Sequence, residues 1–240
     1  MKGIFVLNRE SAKEIYSYMD KVWPDNNSWY DYTHKIIINF IESNLFSRLK
    51  DKSIYLNAGS GGSVYNLPGI CYHVDVAENL IKSLPNHFVA SIEKLPFPDA
   101  TFDATICVGS VINYCSALES IGELARTLKP NGYLILEFER SNTAELWFSK
   151  EYARYATMQQ YEYLNHIHTL WLYSEQYIKK LLYDNNLKII SLHRFHSLSA
   201  LINRITKKEV LSGKYGKYDK IFKPISYLLA HNTILLCIKK

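Results

Sequence analysis

Apolar positions along this 240-residue chain recur with two periods. Short runs at 54–57, 71–75, 88–90, 102–108, 133–138, 187–192 and 233–238 are apolar almost throughout and have the length of buried strands. Between them, spacings of three and four predict helices. Ser11 and Glu14 have the spacing of a capping box and predict a helix to Met19; Ile37, Ile41, Leu45 and Leu49 predict a second helix, with Thr33 as its cap. A third covers 77–84 and ends at Pro85. Ser116 and Glu119 form another capping box before a helix that runs to Lys129, and Ser174 caps one that runs to Tyr183. Pro68-Gly69 limits any helix after the glycine cluster at 59–62 to about one turn. Pro130-Asn131-Gly132 predicts a turn before the strand at 133–138. Alternation at 158–163 and 166–173, around Leu164-Asn165, predicts an inserted hairpin, and 198–205 and 225–230 read as helical. Strands alternating with helices in this way specify an α/β fold, a mostly parallel sheet with helices on both faces.

Length and composition narrow the class. The chain suffices for one sizeable core, so one domain with insertions is expected. At 48% hydrophobic and 21% charged it has the composition of a globular protein, and no apolar run approaches the ~20 residues a membrane span needs. The first ten residues are too short an apolar stretch for a signal peptide. Cys71, Cys107, Cys115 and Cys237 form no C-x-x-C pair, which suits reduced thiols and a cytoplasmic setting. The net charge of +5 lies in one place: between Ser197 and Asn232 seven Lys and Arg face only Glu209 and Asp219. That segment reads as a solvated surface, a contact for a phosphate-bearing or amphiphilic substrate, or a patch for peripheral membrane contact. No stacking motif of an RNA-binding module accompanies it.

The chemistry concentrates between Ile54 and Asp75. An apolar strand ends in Asn57-Ala58-Gly59-Ser60-Gly61-Gly62-Ser63, and the next strand ends in a lone carboxylate, Asp75. Glycine lets the main chain reach positive φ and come close to a ligand, and a carboxylate at that strand tip can accept hydrogen bonds from a ribose diol. Asp75 can equally cap the helix that follows. Asn113 and Tyr114, just past the strand at 102–108, can orient a substrate or simply cap the next helix. His34, His166, His168, His193 and His196 fall in segments that can roof the site and supply a general base. His166-x-His168 has no acid or cysteine to complete a metal set, so no metal is expected. The aromatic run from Trp147 to Tyr173 can be core packing, and its surplus over what the sheet needs equally suits a substrate lid.

Two further segments carry a resemblance. Leu95-Pro96-Phe97-Pro98-Asp99-Ala100-Thr101-Phe102-Asp103, and Leu124-Ala125-Arg126-Thr127-Leu128-Lys129-Pro130-Asn131-Gly132-Tyr133-Leu134, follow the glycine loop in order and at suitable distances. With that loop they resemble the class I S-adenosylmethionine-dependent methyltransferases, particularly those acting on small molecules. The resemblance covers 54–138 and, more loosely, the last two strands. It implies a Rossmann-like doubly wound sheet of seven mostly parallel strands, the last antiparallel. In that frame 1–50 is an N-terminal helical lid, 51–138 the cofactor-binding core, and 140–173 and 197–232 are insertions capping the substrate side.

The cofactor implied is S-adenosyl-L-methionine. Asn57, Gly59, Ser60 and Gly61 would surround its methionine part and Asp75 with Val76 its ribose. Ser91 and Ile92 would border the adenine, Val108 to Ser110 would lie under the reacting methyl group, and Tyr32, with Trp29 and Tyr30, would close the other side. Candidate catalytic residues are Asn113, Tyr114 and His168. Asn57 stands where the family usually has an acid, Ser63 where it usually has a third glycine, and Ser91 where aspartate is common. The activity implied is methyl transfer to O or N of a small or medium-sized acceptor. An inactive, cofactor-binding accessory protein is the alternative that those departures suggest. The segment 110–114 lacks the paired prolines of base amino-methylating enzymes and the Pro-Cys pair of cytosine C5 enzymes, which argues against nucleic acid as acceptor. Val64, where G-x-G-x-x-G requires glycine, argues against a nicotinamide enzyme.

Overall fold

A computed structural model describes residues 12–19, 21–163 and 166–240, with the side chains at 161–163, 166 and 222 left aside. The chain builds β1 (Ile54–Ala58), β2 (Ile70–Asp75), β3 (His87–Val89), β4 (Phe102–Cys107), β5 (Leu128–Glu139), β8 (Leu187–Phe195) and β9 (Asn232–Lys239) into one seven-stranded sheet. Its order is β3-β2-β1-β4-β5-β9-β8. The strands from β3 to β5 pair parallel, and β9 pairs antiparallel with both neighbours, β5 and β8. The sheet order reverses between β1 and β4, and a crevice opens outside the carboxyl ends of strands at such a point. β6 (Ala156–Tyr163) and β7 (His166–Tyr173) form the expected hairpin, a separate two-stranded sheet.

The pleat divides the core. Leu134 and Leu136 of β5, with Leu56 of β1, pack on one face against Ile121 and Leu124 of a helix spanning Ala117–Thr127. Ile135 and Tyr55, one residue out of phase, pack on the other against Ile37, Ile41 and Leu45 of α1 (Ser28–Leu45). Side chains alternate across a strand, so the uniformly apolar runs in the sequence are strands buried on both faces. α2 is Glu78–Ile81, α3 the Ala117–Thr127 helix, α4 Glu175–Asp184, α5 Ser197–Thr206, α6 Glu209–Gly213 and α7 Ser226–Leu229. Ser116 and Ser174 cap α3 and α4, accepting from the backbone N–H of Glu119 and Tyr177. No described helix is long and apolar enough to cross a membrane, and all four cysteines are free thiols.

Four local expectations need correction. Thr33 is not a cap: α1 begins five residues earlier, where Asn27 Oδ1 accepts from Trp29 N at 3.0 Å. The Thr33 hydroxyl instead donates to the carbonyl of Trp29 within the helix. No helix follows the glycine loop, because Pro68-Gly69 leaves no room for a second turn. The helix at 77–84 contracts to Glu78–Ile81 and ends in a tighter turn, Leu84 N donating to Ile81 O. The turn at 130–132 lies within β5, where the register to β4 shifts between Phe102 and Ala104 and Asn131 takes φ +64°. The predicted start of the first helix at Ser11 lies outside the described residues; 12–17 are helical.

Beyond β5 the chain builds a cap from α5, α6, α7 and the 3-10 segment Gly216–Ile225, which pack on one another. It is tied to the sheet by a buried ion network. Arg140, fully buried, donates to the carbonyls of Ser226, Ala230 and Tyr227 and lies 3.7 Å from Glu175, also fully buried. Arg194 and Lys179 complete the set around Glu175. Burial by itself would raise the Glu175 carboxyl, but hydrogen bonds from Arg194 and Lys179 and the charge of Arg140 hold it down to about 2.

Candidate active site

The glycine loop is folded by the backbone of β2. Gly59 N and Ser60 N both donate to Val74 O, at 2.8 and 2.9 Å, which turns the chain sharply at the end of β1. Gly59 sits at φ +70°, and a Cβ there would come within 2.3 Å of the Val111 side chain, so both conformation and space require glycine. Asp75 ties the turn together: Oδ2 accepts from Gly61 N at 2.7 Å and Oδ1 from Ala77 N at 2.9 Å. Asp75 is not the N-cap of the following helix: that residue is Ala77, which takes no side-chain cap bond, and Asp75 holds the backbone N–H of that residue. Burial raises the Asp75 carboxyl above its usual range, against the lowering effect of its backbone donors.

Asn57 is buried beneath the loop and donates to Ser63 O at 2.9 Å and Ser60 Oγ at 3.3 Å; Ser60 Oγ in turn lies 2.9 Å from His73 Nδ1. Asn57 therefore braces the loop from below. The positive φ at the place of the third glycine falls on Gly62, at +82°, one residue before Ser63.

A second constrained turn follows β4. Gly109 and Ser110 take φ +78° and +58°, and Ser110 N donates to Glu137 Oε2 at 2.7 Å. Glu137, fully buried on β5, also accepts from Asn232 Nδ2 at 2.7 Å, and burial pushes its carboxyl up to about 7. The carboxylate thus spans from β9 to the loop that forms the floor of the crevice.

One cavity joins these turns. Gly59, Ser60, Gly61, Asp75, Val76, Ser91, Ile92, Val108, Ser110, Tyr114 and His168 all line it, so eleven of the expected site residues converge. Asn57, Asn113 and Tyr32 stand behind its wall. Asn113 bridges backbone groups of Glu139 and Trp171, clipping the hairpin to β5, and Tyr32 packs edge-on against His196. Tyr114 OH lies 2.8 Å from His168 Nδ1 and 3.1 Å from Tyr16 OH, and the three rings meet edge to face. Of the other histidines, His34 lies against Trp23 and His193 against Phe195, while the side chain of His166 is outside the described set. His196 is buried, stacked on Trp29 at 3.9 Å with Nε2 2.8 Å from Thr33 Oγ1.

The opposite end of the cavity was not legible in the sequence. Glu139, Glu145, Glu209, Asn203, His231 and Asn232 line it. His231 lies 3.3 Å from Glu139 and 3.4 Å from Glu145, Asn203 donates to Glu145 at 3.1 Å, and Asn27 donates to Glu209 at 2.9 Å. Burial opposes charge on His231, but Glu145 and Glu139 outweigh it and hold the imidazole well above its ordinary range. Burial raises Glu209. Asn232, 3% exposed, spends its amide N–H on Glu137, while its Oδ1 has no hydrogen-bond partner among the described residues. Four carboxylates, counting Asp75, line the cavity, and among the described residues no Lys or Arg does. The one signal the sequence offered was Glu139 at the carboxyl end of a predicted strand. No group of His, Cys, Asp and Glu among the described residues has the arrangement of a metal site.

Comparison with known proteins bears on this cavity. Residues 56–136 match a family described as a methyltransferase domain. No curated protein matches the chain. Among solved structures, the chain is similar to the (4+2)-cyclase SpnF, with TM-score 0.62 at 14% identity over 97% of this chain and 96% of that one. It is similar to an S-adenosylmethionine-dependent methyltransferase structure from Listeria monocytogenes, with TM-score 0.60 at 13% identity over 87% and 99%. A third is the Burkholderia thailandensis 1,6-didemethyltoxoflavin N1-methyltransferase, solved with its acceptor and S-adenosylhomocysteine, with TM-score 0.51 at 12% identity over 98% and 85%. At these identities the likeness is one of fold.

The cavity suits S-adenosylmethionine on its own terms. The backbone at Gly59 closes on Val111 with no room for a side chain, and the two Asp75 oxygens, besides their backbone donors, retain acceptor capacity for a ribose hydroxyl.

Proposed function

We propose that this chain is a class I S-adenosylmethionine-dependent methyltransferase and that it methylates a nitrogen of a small amine-bearing acceptor. The observation that carries this is the excess of acid at the cavity's far end: three carboxylates, Glu139, Glu145 and Glu209, against the single cation His231, with the buried Asn232 Oδ1 lacking a donor. Groups of that kind attract a cation and accept N–H bonds, and Trp29 and Tyr30 on the same wall add ring faces that favour positive charge. Of the two acceptor atoms the family resemblance allowed, O or N, this surrounding favours N. A phosphate-bearing acceptor would have to sit among carboxylates, and no lysine of the basic segment lines the cavity.

When bound, S-adenosylmethionine supplies an electrophilic methyl group. In this reading Gly59, Ser60 and Gly61 hold the methionine end, Asp75 and Val76 the ribose, and Ser91 and Ile92 the adenine, while Val108 to Ser110 form the floor beneath the transfer. Asn57 acts through the loop it braces. The chain's task is then to hold the acceptor nitrogen in line and take up its proton. Positioning of this kind can remove ~7–11 kcal/mol from a barrier. In this reading Tyr114 and His168, hydrogen-bonded to each other at the cavity wall, receive that proton.

The test is methyl transfer from labelled S-adenosylmethionine to panels of primary amines, alcohols and phosphate esters. Transfer confined to amines, with KM raised about tenfold or more in Glu145→Gln and cofactor affinity unchanged, is the expected result. Transfer only to alcohols or phosphate esters would overturn the reading.

A further inference from the structure

The cap presents an outer face that the methyl-transfer reading does not use. Between Ile205 and Leu228 there are six lysines, at 207, 208, 214, 217, 220 and 223, and only two acids. Both acids turn inward. Asp219, 6% exposed, accepts from the backbone N–H groups of Ser197 and Leu198 at the start of α5, and Glu209 lines the cavity with Asn27 and Tyr30. All six lysines are exposed. The outward charge of this segment is therefore wholly positive.

Interleaved with the lysines are large apolar side chains left in water. Ile205 is 75% exposed, Ile221 72%, Ile225 48% and Leu228 46%, and Tyr215 and Tyr218 are exposed beside them. A second segment lies against the end of this one. Trp147 Nε1 and Tyr152 OH both donate to Leu228 O at 3.2 Å, which brings the loop containing Phe148 against α7. Phe148 is 98% exposed and held at φ +64°, a conformation costly for a bulky aromatic residue.

We propose that this outer face of the cap binds the surface of a membrane containing anionic lipids. Lysines supply attraction to negative headgroups, and aliphatic and aromatic side chains between them enter the boundary between headgroup and acyl chain; reversible but firm attachment needs both. Nucleic acid would satisfy the lysines but would leave Ile205, Ile221 and Ile225 in water, since base binding relies on ring stacking. The cap also contributes Asn203 and Glu209 to the cavity, so attachment would hold the cavity beside the lipid surface. The inference stands independently of which acceptor is methylated.

The test is co-sedimentation of the full chain with vesicles of phosphatidylcholine alone and of phosphatidylcholine with phosphatidylglycerol, at low and high salt. Expected is sedimentation with the anionic vesicles only, weakened by salt. Replacing Lys217, Lys220 and Lys223 together by Glu should weaken it about 100-fold or more. Ile221→Ser with Ile225→Ser should remove the part that resists salt. All five positions are exposed, so thermal unfolding and transfer to a soluble acceptor should match the unaltered chain. Equal sedimentation with both vesicle types, none with either, loss of sedimentation on adding free glycerol phosphate, or binding to single-stranded RNA without binding to vesicles would each overturn the proposal.

Discussion

The two ends of the cavity are built in opposite ways. At the cofactor end the decisive bonds join residues close in sequence: Asn57 to Ser60 and Ser63, Gly61 to Asp75, Asp75 to Ala77. At the acceptor end, Asn27 meets Glu209 across 182 positions, Thr33 meets His196 across 163, and Asn203 meets Glu145 across 58. The first is a strand-loop-strand unit folded by its own backbone. The second exists only once the cap has docked on the sheet. The difference implies that the acceptor end can be altered, or lost, while the cofactor end survives.

The docking network gives the largest test of that contrast. Glu175→Gln leaves Arg140 buried without a charge partner, and removing one member of a buried pair costs about 3–5 kcal/mol. Chemical denaturation should show a loss of that size. Acid should act on the same group: Glu175 sits below its ordinary value of 4.5, so its stabilisation is complete above pH 4.5 and disappears as pH falls from there toward about 2. Stability of the Gln variant should be flatter across that window. A variant that unfolds like the unaltered chain would mean that the network does not hold the cap.

Next come the two cofactor-end substitutions. Gly59→Ala places a Cβ on Val111 at positive φ, and Asp75→Ala removes a charged acceptor worth about 1.5–3 kcal/mol, roughly 10–100-fold in affinity. Calorimetric titration with S-adenosylmethionine should show losses of that order in both, with amine binding at the far end retained. Undiminished cofactor binding in Asp75→Ala would remove the ribose assignment.

The smallest effect sharpens the comparison most. Asn27→Ala deletes both the cap of α1 and the bond to Glu209, costing about 1 kcal/mol. KM for the acceptor should rise several-fold and cofactor affinity should hold. If cofactor affinity fell in step, the two ends would be one unit.

The same contrast separates what could be read in advance from what could not. Strand positions, the hairpin read over 158–173, the Ser116 and Ser174 caps, the glycine turn and Asp75 were all visible, because each depends on a pattern within a few residues. Thr33 was misread as a cap because Asn27, across a turn rich in polar residues, competes for the same role with equal local credentials. Ser63 looked like a missing glycine, whereas Gly62 supplies the positive φ one position earlier.

By itself, then, the chain's sequence determined an α/β sheet with a glycine turn beside a strand-tip carboxylate, since periodicity, capping and glycine φ are properties of short windows. Tertiary structure alone decided the character of the far end of the cavity. Glu139, Glu145, Glu209 and His231 come from four separate segments of the chain, and their convergence follows from the docking of α5 to α7 through Arg140 and Glu175. The same docking turned Glu209 and Asp219 inward and left the lysines outside, because burying a carboxylate needs partners that only the folded cap supplies.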